Sequence, residues 1–266
     1  MKVARIQLDG VAPVAAVVRD GALHPLEADV GALIAGSPAG AEQPAVDAAL
    51  LPPVVPGKIV AIGLNYQDHI RESGQAPPEV PLVFAKFPTS VIADGVPIRL
   101  PRALTERVDW EVELAVVIGR RAHDVAVEDA LDHVFGYTIG NDVSARDLQF
   151  SDGQWVRAKS LDTFCPLGPL LVTADEIPDP QALRLICRVN GEVMQDATTD
   201  LMIFGVAELI SFCSRSFTLE PGDVILTGTP WGCGEFMEPK RSLAPGDVVE
   251  CEIEGIGTLR NPVVEV

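Results

Sequence analysis

Short apolar runs broken by turn residues dominate the chain. Val3–Leu8 and Val14–Val18 are separated by Asp9-Gly10 and Pro13, and Asp20-Gly21 follows. This spacing predicts a small β-meander. The stretch from Gly31 to Pro56 is rich in Ala, Pro and Gly, which predicts a boundary or linker near 51–57. Beyond Gly57 the pattern changes. Lys58–Gly63 reads as a buried strand, and Gln67–Ser73 as a short helix ended by Gly74 and Pro77-Pro78. Glu111–Gly119 is strongly β-like, and Tyr137–Ile139 and Leu170–Thr173 are further strands. Val127–Val134 reads as a helix with Glu128, Asp129 and Asp132 on its wet face. Over Leu201–Phe217, the residues Ile203, Val206, Ala207, Ile210 and Phe217 share a helical face. Leu219–Ile225 and Leu243–Val249 repeat one Pro-Gly-Asp turn, and each copy leads into a β-branched strand. The two copies read as two strand entries in one roll-like sheet. Strands outnumber helices and do not alternate with them. The expected class is therefore mainly β with short helices (α+β), rather than a doubly wound α/β fold. The expected division is a small N-terminal β domain and linker over 1–56, then a larger domain over 57–266.

Composition narrows the function. The 266 residues suffice for a real core. Lys and Arg total 20 against 38 Asp and Glu, a net charge of −18. No basic face for nucleic acid or an anionic membrane can be built from that balance. An anionic substrate needs a local positive centre, such as a metal or a single Lys. Cys165, Cys187, Cys213, Cys233 and Cys251 are widely spaced, with no C-x-x-C pair. They read as core thiols in a reducing compartment rather than a zinc cluster or disulfide framework. Met1–Gly10 carries no apolar signal core, and no apolar run approaches the roughly 18 residues of a membrane span. A cytoplasmic location is expected. Signatures for dinucleotide, phosphate-loop, α/β-hydrolase and zincin chemistry are all absent from the sequence.

The candidate chemistry lies in four places. In Val108-Asp109-Trp110-Glu111-Val112-Glu113-Leu114, strand alternation sends Asp109, Glu111 and Glu113 to one face. Neighbouring buried carboxylates repel and lose hydration, and a hard divalent cation removes both penalties. The alternative is the solvated face of an edge strand. Asp142 either supplies a third carboxylate or caps the helix that follows it. His69 and Glu72, three apart on a short helix, form either an oriented general base or a surface pair. Lys159, one of five lysines, is either solvated or placed to stabilise an oxyanion.

These segments together resemble the fumarylacetoacetate hydrolase superfamily over about residues 57–262. The matching stretches, in order, are Gly63–Glu72, Phe84–Ser90, Asp109–Leu114, Asn141–Asp147, Ala158–Ser160 and Thr227–Pro230. The chain is similar to the short bacterial-type branch, which includes acylpyruvate hydrolases and 2-hydroxyhepta-2,4-diene-1,7-dioate isomerases. The resemblance implies a mixed β-roll with a small N-terminal β domain, and a homodimer. It implies Mg²⁺ or Mn²⁺ held by Glu111, Glu113 and Asp142. It further implies a catalytic set of His69, Glu72 and Lys159, with Thr229, Lys86, Arg146 and Gln149 contacting a small 2-oxo acid. The expected reaction is hydrolysis of a C–C bond in an acylpyruvate to release pyruvate. Isomerase, or oxaloacetate decarboxylase or tautomerase, action at the same site is the alternative. A non-catalytic metal-stabilised module is a third reading, which leaves His69, Glu72 and Lys159 without a role.

Overall fold

The computed structural model describes residues 1–266. The chain begins with strands β1 (Lys2–Gln7), β2 (Val14–Arg19) and β3 (Ala22–Pro25), helix α1 (Val30–Ile34) and β4 (Ala49–Leu51). It continues through β5 (Ile59–Gly63), helix α2 (Gln67–Ser73), β6 (Leu82–Lys86), β7 (Val91–Ile92), β8 (Ile98–Leu100) and β9 (Val108–Asp109). Then follow β10 (Val112–Ile118), β11 (Val134–Asn141), β12 (Ser144–Ala145), α3 (Arg146–Asp152), α4 (Val156–Lys159) and β13 (Cys165–Thr173). Last come β14 (Arg184–Val189), β15 (Glu192–Thr198), α5 (Val206–Ser216), β16 (Val224–Leu226), β17 (Val248–Ile253) and β18 (Gly257–Glu265). The molecule is mainly β with short helices, as the turn pattern predicts. No helix is long and apolar enough to cross a membrane.

Eleven strands form one sheet, in the order β3-β2-β1-β13-β11-β10-β16-β5-β6, with β4 on β1 and β7 on β13. Five form a second sheet, β15-β14-β17-β18-β8, and β9 pairs with β12. The boundary expected at 56/57 is not a break in the large sheet. β1 runs antiparallel to β13, with Val3 opposite Leu171. Val3, Ala15 and Val17 share one apolar cluster with Ile59, Ala61, Leu171 and Leu226. The N-terminal strands bury an apolar face against this cluster, so the Pro-rich connector spans a continuous sheet.

β10 is central, flanked by β11 and β16. That excludes the edge-strand reading of its acidic residues. Val112, Leu114, Val116 and Ile118 enter the larger core with Trp110, Leu185, Cys187, Val249 and Cys251. Ala115 and Val117 enter the other cluster. Alternation therefore puts Glu113 on the Ala115 side, with Glu111 and Asp109 at the same parity. The regular strand starts only at Val112, and Val108–Asp109 pairs with β12 instead.

Three further expectations shift. The helix expected from Leu201 begins at Val206. Gly205 N–H donates to Glu208 Oε2 and Val206 N–H to Gln181 Oε1, so the first turn is capped there. Val127–His133 is a 3₁₀ helix rather than α. The repeated turns both form, with the Asp223 and Asp247 carboxylates accepting the N–H of Glu220 and Ala244. However, they open different sheets, β16 in the large one and β17 in the small one. A turn fixes the reversal of the chain, and tertiary pairing decides which edge it meets. All five cysteines are buried and free.

Gly136 on β11 lies against the backbone of β13. A Cβ there would lie 2.2 Å from the Val172 carbonyl oxygen of β13, which is backbone and cannot swing away. Gly136→Ala should destabilise the fold by about 1–3 kcal/mol in urea unfolding. An unchanged midpoint would contradict this packing.

Candidate active site

The site begins where β10 and β11 meet, with Val112 opposite Asn141 and Glu113 opposite Gly140. Side-chain and backbone bonds carry the ladder past the regular strand. Glu111 N–H donates to Asn141 Oδ1 at 3.0 Å, and Asp142 N–H donates to Glu111 O at 2.9 Å. This brings the buried Glu111, Glu113 and Asp142 together, with one oxygen from each within 4.8 Å of the others. Asp142 is no helix cap, since Ala145 occupies the cap of α3.

Three cations lie among these acids. Lys159 Nζ, at the end of α4, sits 2.7 Å from Glu111 Oε2 and 2.7 Å from Asp142 Oδ2. Lys86 Nζ donates to the other Asp142 oxygen. Arg146 reaches Asp109 Oδ2 through Nε at 2.8 Å and Glu111 Oε1 through Nη2 at 2.7 Å. Glu113 Oε2 accepts only the Gly228 N–H, at 2.8 Å. Gly228 has φ +95°, and a Cβ there would meet Asn65 at 2.8 Å, so glycine is required for that donation. Burial opposes the charge of Lys159, but Asp142 and Glu111 outweigh it and keep the ammonium protonated. Burial would also raise the Glu111 carboxyl, but Lys159 and Arg146 hold it below the usual range. Glu113 has no such partner. Burial pushes its carboxyl well up, and the Asp142 and Glu111 carboxylates push it further.

Helix α2 brings the histidine. Asn65, just before it, accepts the Phe204 N–H and donates to the carbonyls of Phe204 and Thr227. This locks the entry of α2 against two distant loops. His69 Nδ1 faces Glu72 Oε2 at 3.1 Å, and Glu72 Oε1 accepts the Gly232 N–H at 2.8 Å. Phe236 packs edge-on against the His69 ring, at 5.3 Å between centroids.

One cleft joins these parts. Its walls include His69, Glu111, Glu113, Lys159, Gln149 and Thr229, with Phe84, Phe150, Trp155 and Phe236 as aromatic lining. Two expected substrate contacts are otherwise engaged. Lys86 is buried beneath Asp142. Arg146 borders the cleft, but its nitrogens face Asp109, Glu111 and Gln149. The Thr229 hydroxyl donates to Val112 O and accepts from Gln195. Gln149 uses its carbonyl on Arg146, leaving its amide donors for a ligand. Sequence reasoning missed Asn65, Gln195 and Phe236. It placed Asp109 on the acidic face but not as the anchor of Arg146; the Asp109 carboxylate also accepts the Gly234 and Glu235 N–H groups.

A sequence profile of the fumarylacetoacetate (FAA) hydrolase C-terminal family matches residues 58–264. The chain belongs to the fumarylacetoacetate hydrolase family. Among structures of this family, a fumarylacetoacetate hydrolase from psychrophilic Exiguobacterium antarcticum superposes with a TM-score of 0.92 at 40% identity, covering all of both chains. A 2-hydroxyhepta-2,4-diene-1,7-dioate isomerase from Mycobacterium marinum gives 0.82 at 42% identity, covering all of this chain and 98% of the other. A mitochondrial oxaloacetate tautomerase of Xenopus laevis is 50% identical over 218 residues, 81% of this chain and 68% of that protein. The family consists of enzymes.

The carboxylate set fits a hard divalent cation. Each carboxylate oxygen offers more than one lone pair, so an ion can join without displacing the lysines. Only the ionised form of Glu113 could bind a metal, and its folded carboxyl is raised. A raised carboxyl lends stability below its unfolded pKa, and that stability is lost as pH rises through the folded value. A bound cation reverses this loss. The rise in melting temperature on adding Mg²⁺ should therefore grow as the pH is raised. A rise that shrinks with pH would contradict the assignment.

Proposed function

We propose that the protein catalyses metal-assisted keto–enol proton transfer on a small 2-oxo acid of the oxaloacetate type. The observation that carries this reading is that His69, paired with Glu72, lines the same cleft as Glu111, Glu113 and Lys159. In this reading Glu111, Glu113 and Asp142 hold Mg²⁺ or Mn²⁺. When bound, the ion supplies Lewis-acid stabilisation of the charge that develops on a 2-oxo acid as it enolises. Lys159, kept charged by its two carboxylates, donates to the developing enolate oxygen. His69, with Nδ1 turned to Glu72, has Nε2 to take the proton from the carbon beside the oxo group. The C–H bond breaks, its electron pair moves to the oxo oxygen, and reprotonation there gives the enol. The reverse steps return the keto form. Gln149 and Thr229 orient the substrate, and Phe84, Trp155 and Phe236 exclude water. Lys86 and Arg146 act one layer back, by neutralising the carboxylates.

Tautomerase relatives near 50% identity support this chemistry, and isomerisation of a 2-hydroxy-dienoate is also a proton shift. The hydrolase neighbour at 40% identity favours a second reading. There the same histidine activates water against the distal carbonyl of an acylpyruvate, and the C–C bond breaks to release pyruvate.

Proton NMR with Mg²⁺ separates the readings. The protein should speed enol–keto interconversion of oxaloacetate and leave acetylpyruvate and fumarylpyruvate intact. Pyruvate appearing with acetate or fumarate would replace the proposal by hydrolysis. Glu113→Gln should abolish the Mg²⁺-dependent rate with the fold retained, and His69→Ala should cost at least about 10²-fold. A near-normal rate in His69→Ala would remove it from the base role.

A further inference from the structure

Cys233 is a buried thiol beside the dyad that the proposed chemistry does not use. His69, Glu72 and Cys233 each offer a ligand atom, and these lie within 4.8 Å of one another. We propose that these three residues form a second metal site, selective for a thiophilic divalent cation such as Zn²⁺, whose occupancy shuts off the enzyme. The regulatory half of this proposal rests on the function proposed above, whereas the binding half does not.

The donor set carries the argument. One imidazole, one carboxylate and one thiolate match the three-protein-ligand pattern of open zinc sites, which leave a fourth position for water. The site is largely preassembled. In a tetrahedral site with metal–ligand bonds of about 2.0–2.3 Å, neighbouring donors stand roughly 3.3–3.8 Å apart. The His69 Nδ1 to Glu72 Oε2 distance is already 3.1 Å. Glu72 is held from behind by the Gly232 N–H at 2.8 Å, on the residue next to Cys233. Gln195 Nε2 stands 3.9 Å from Cys233 Sγ, with its hydrogens directed to Thr229 Oγ1 and the Pro230 carbonyl. The Gly232 contact thus orients one of the three ligands. Charge agrees as well, because a carboxylate and a thiolate together neutralise one divalent ion.

Softness separates the two sites. Glu111, Glu113 and Asp142 present only hard oxygens, which suit Mg²⁺ or Mn²⁺, whereas imidazole and thiolate favour zinc. Of the three residues, His69 lines the cleft. Once His69 and Glu72 are ligands, neither can take or orient a proton.

Co²⁺ is the probe, added to the full chain in excess Mg²⁺ so that the oxygen site is filled. The wild type should develop a thiolate-to-cobalt charge-transfer band that saturates near one equivalent and is bleached by Zn²⁺. Cys233→Ala and Cys233→Ser should both lack it, and two variants guard against a folding defect in either one. No band in the wild type, or a band that persists in a folded variant, overturns the site. In the same buffer Zn²⁺ should inhibit wild-type oxaloacetate interconversion at least about 10-fold more potently than Cys233→Ala. Equal inhibition of both overturns the regulatory half. A Cys233-dependent band in a protein that turns over no 2-oxo acid would refute the proposed function and leave the metal site standing.

Discussion

A knot of charge buried at the ends of β10 and β11 constrains the rest of the molecule. Asp109, Glu111, Glu113 and Asp142 are all buried, and Lys86, Lys159 and Arg146 are buried with them. Removing one partner of a buried ion pair typically costs about 3–5 kcal/mol, because it strands the other charge. The cluster therefore holds only if every member is delivered to its place. The adjoining ends of β10 and β11 place Glu111, Glu113 and Asp142, β9 carries Asp109, helix α4 supplies Lys159, and β6 supplies Lys86. Glu113, the acid with no cation of its own, is left facing a charge deficit that a divalent ion can fill.

The same cluster solves the problem set by the overall charge. A protein at −18 repels an anionic substrate at long range. Inside the cleft the balance is local, and Lys159 stands at its wall with an ammonium held charged by two carboxylates. The proton-transfer group sits on a different element. Helix α2 is tied down by Asn65 and by the Gly232 contact to Glu72, so the dyad and the acids are built from separate parts that meet across one opening. Arg146 and Asp109 join the two halves, because the Asp109 carboxylate also holds the loop that sets Phe236 against His69.

Much of this was legible from local spacing. Period-two alternation separates Trp110, Val112, Leu114 and Val116 from the acidic face, and the core follows that division. The i, i+3 spacing of His69 and Glu72 predicts their contact, and α2 spans the expected Gln67–Ser73. What spacing cannot show is long-range. Asn65 meets Phe204 and Thr227, and Gln195 meets Thr229, only after the sheets have formed. The resemblance put Lys86 and Arg146 at the substrate, and spacing could not show their acidic partners, which are 56 and 37 residues away. The N-terminal strands looked separate because a Pro-rich linker follows them, yet β13 has an edge that β1 completes. The helix start at Val206 depends on Gln181, which lies 25 residues earlier.

The central claim is that Glu111, Glu113 and Asp142 converge to hold one divalent cation beside Lys159. Anomalous diffraction from a crystal grown with Mn²⁺ tests it most directly. The account predicts a single strong peak among the three carboxylates, with Lys159 still bonded to Glu111 and Asp142. No peak there, or a peak reached only by expelling Lys159 from the cluster, would contradict it.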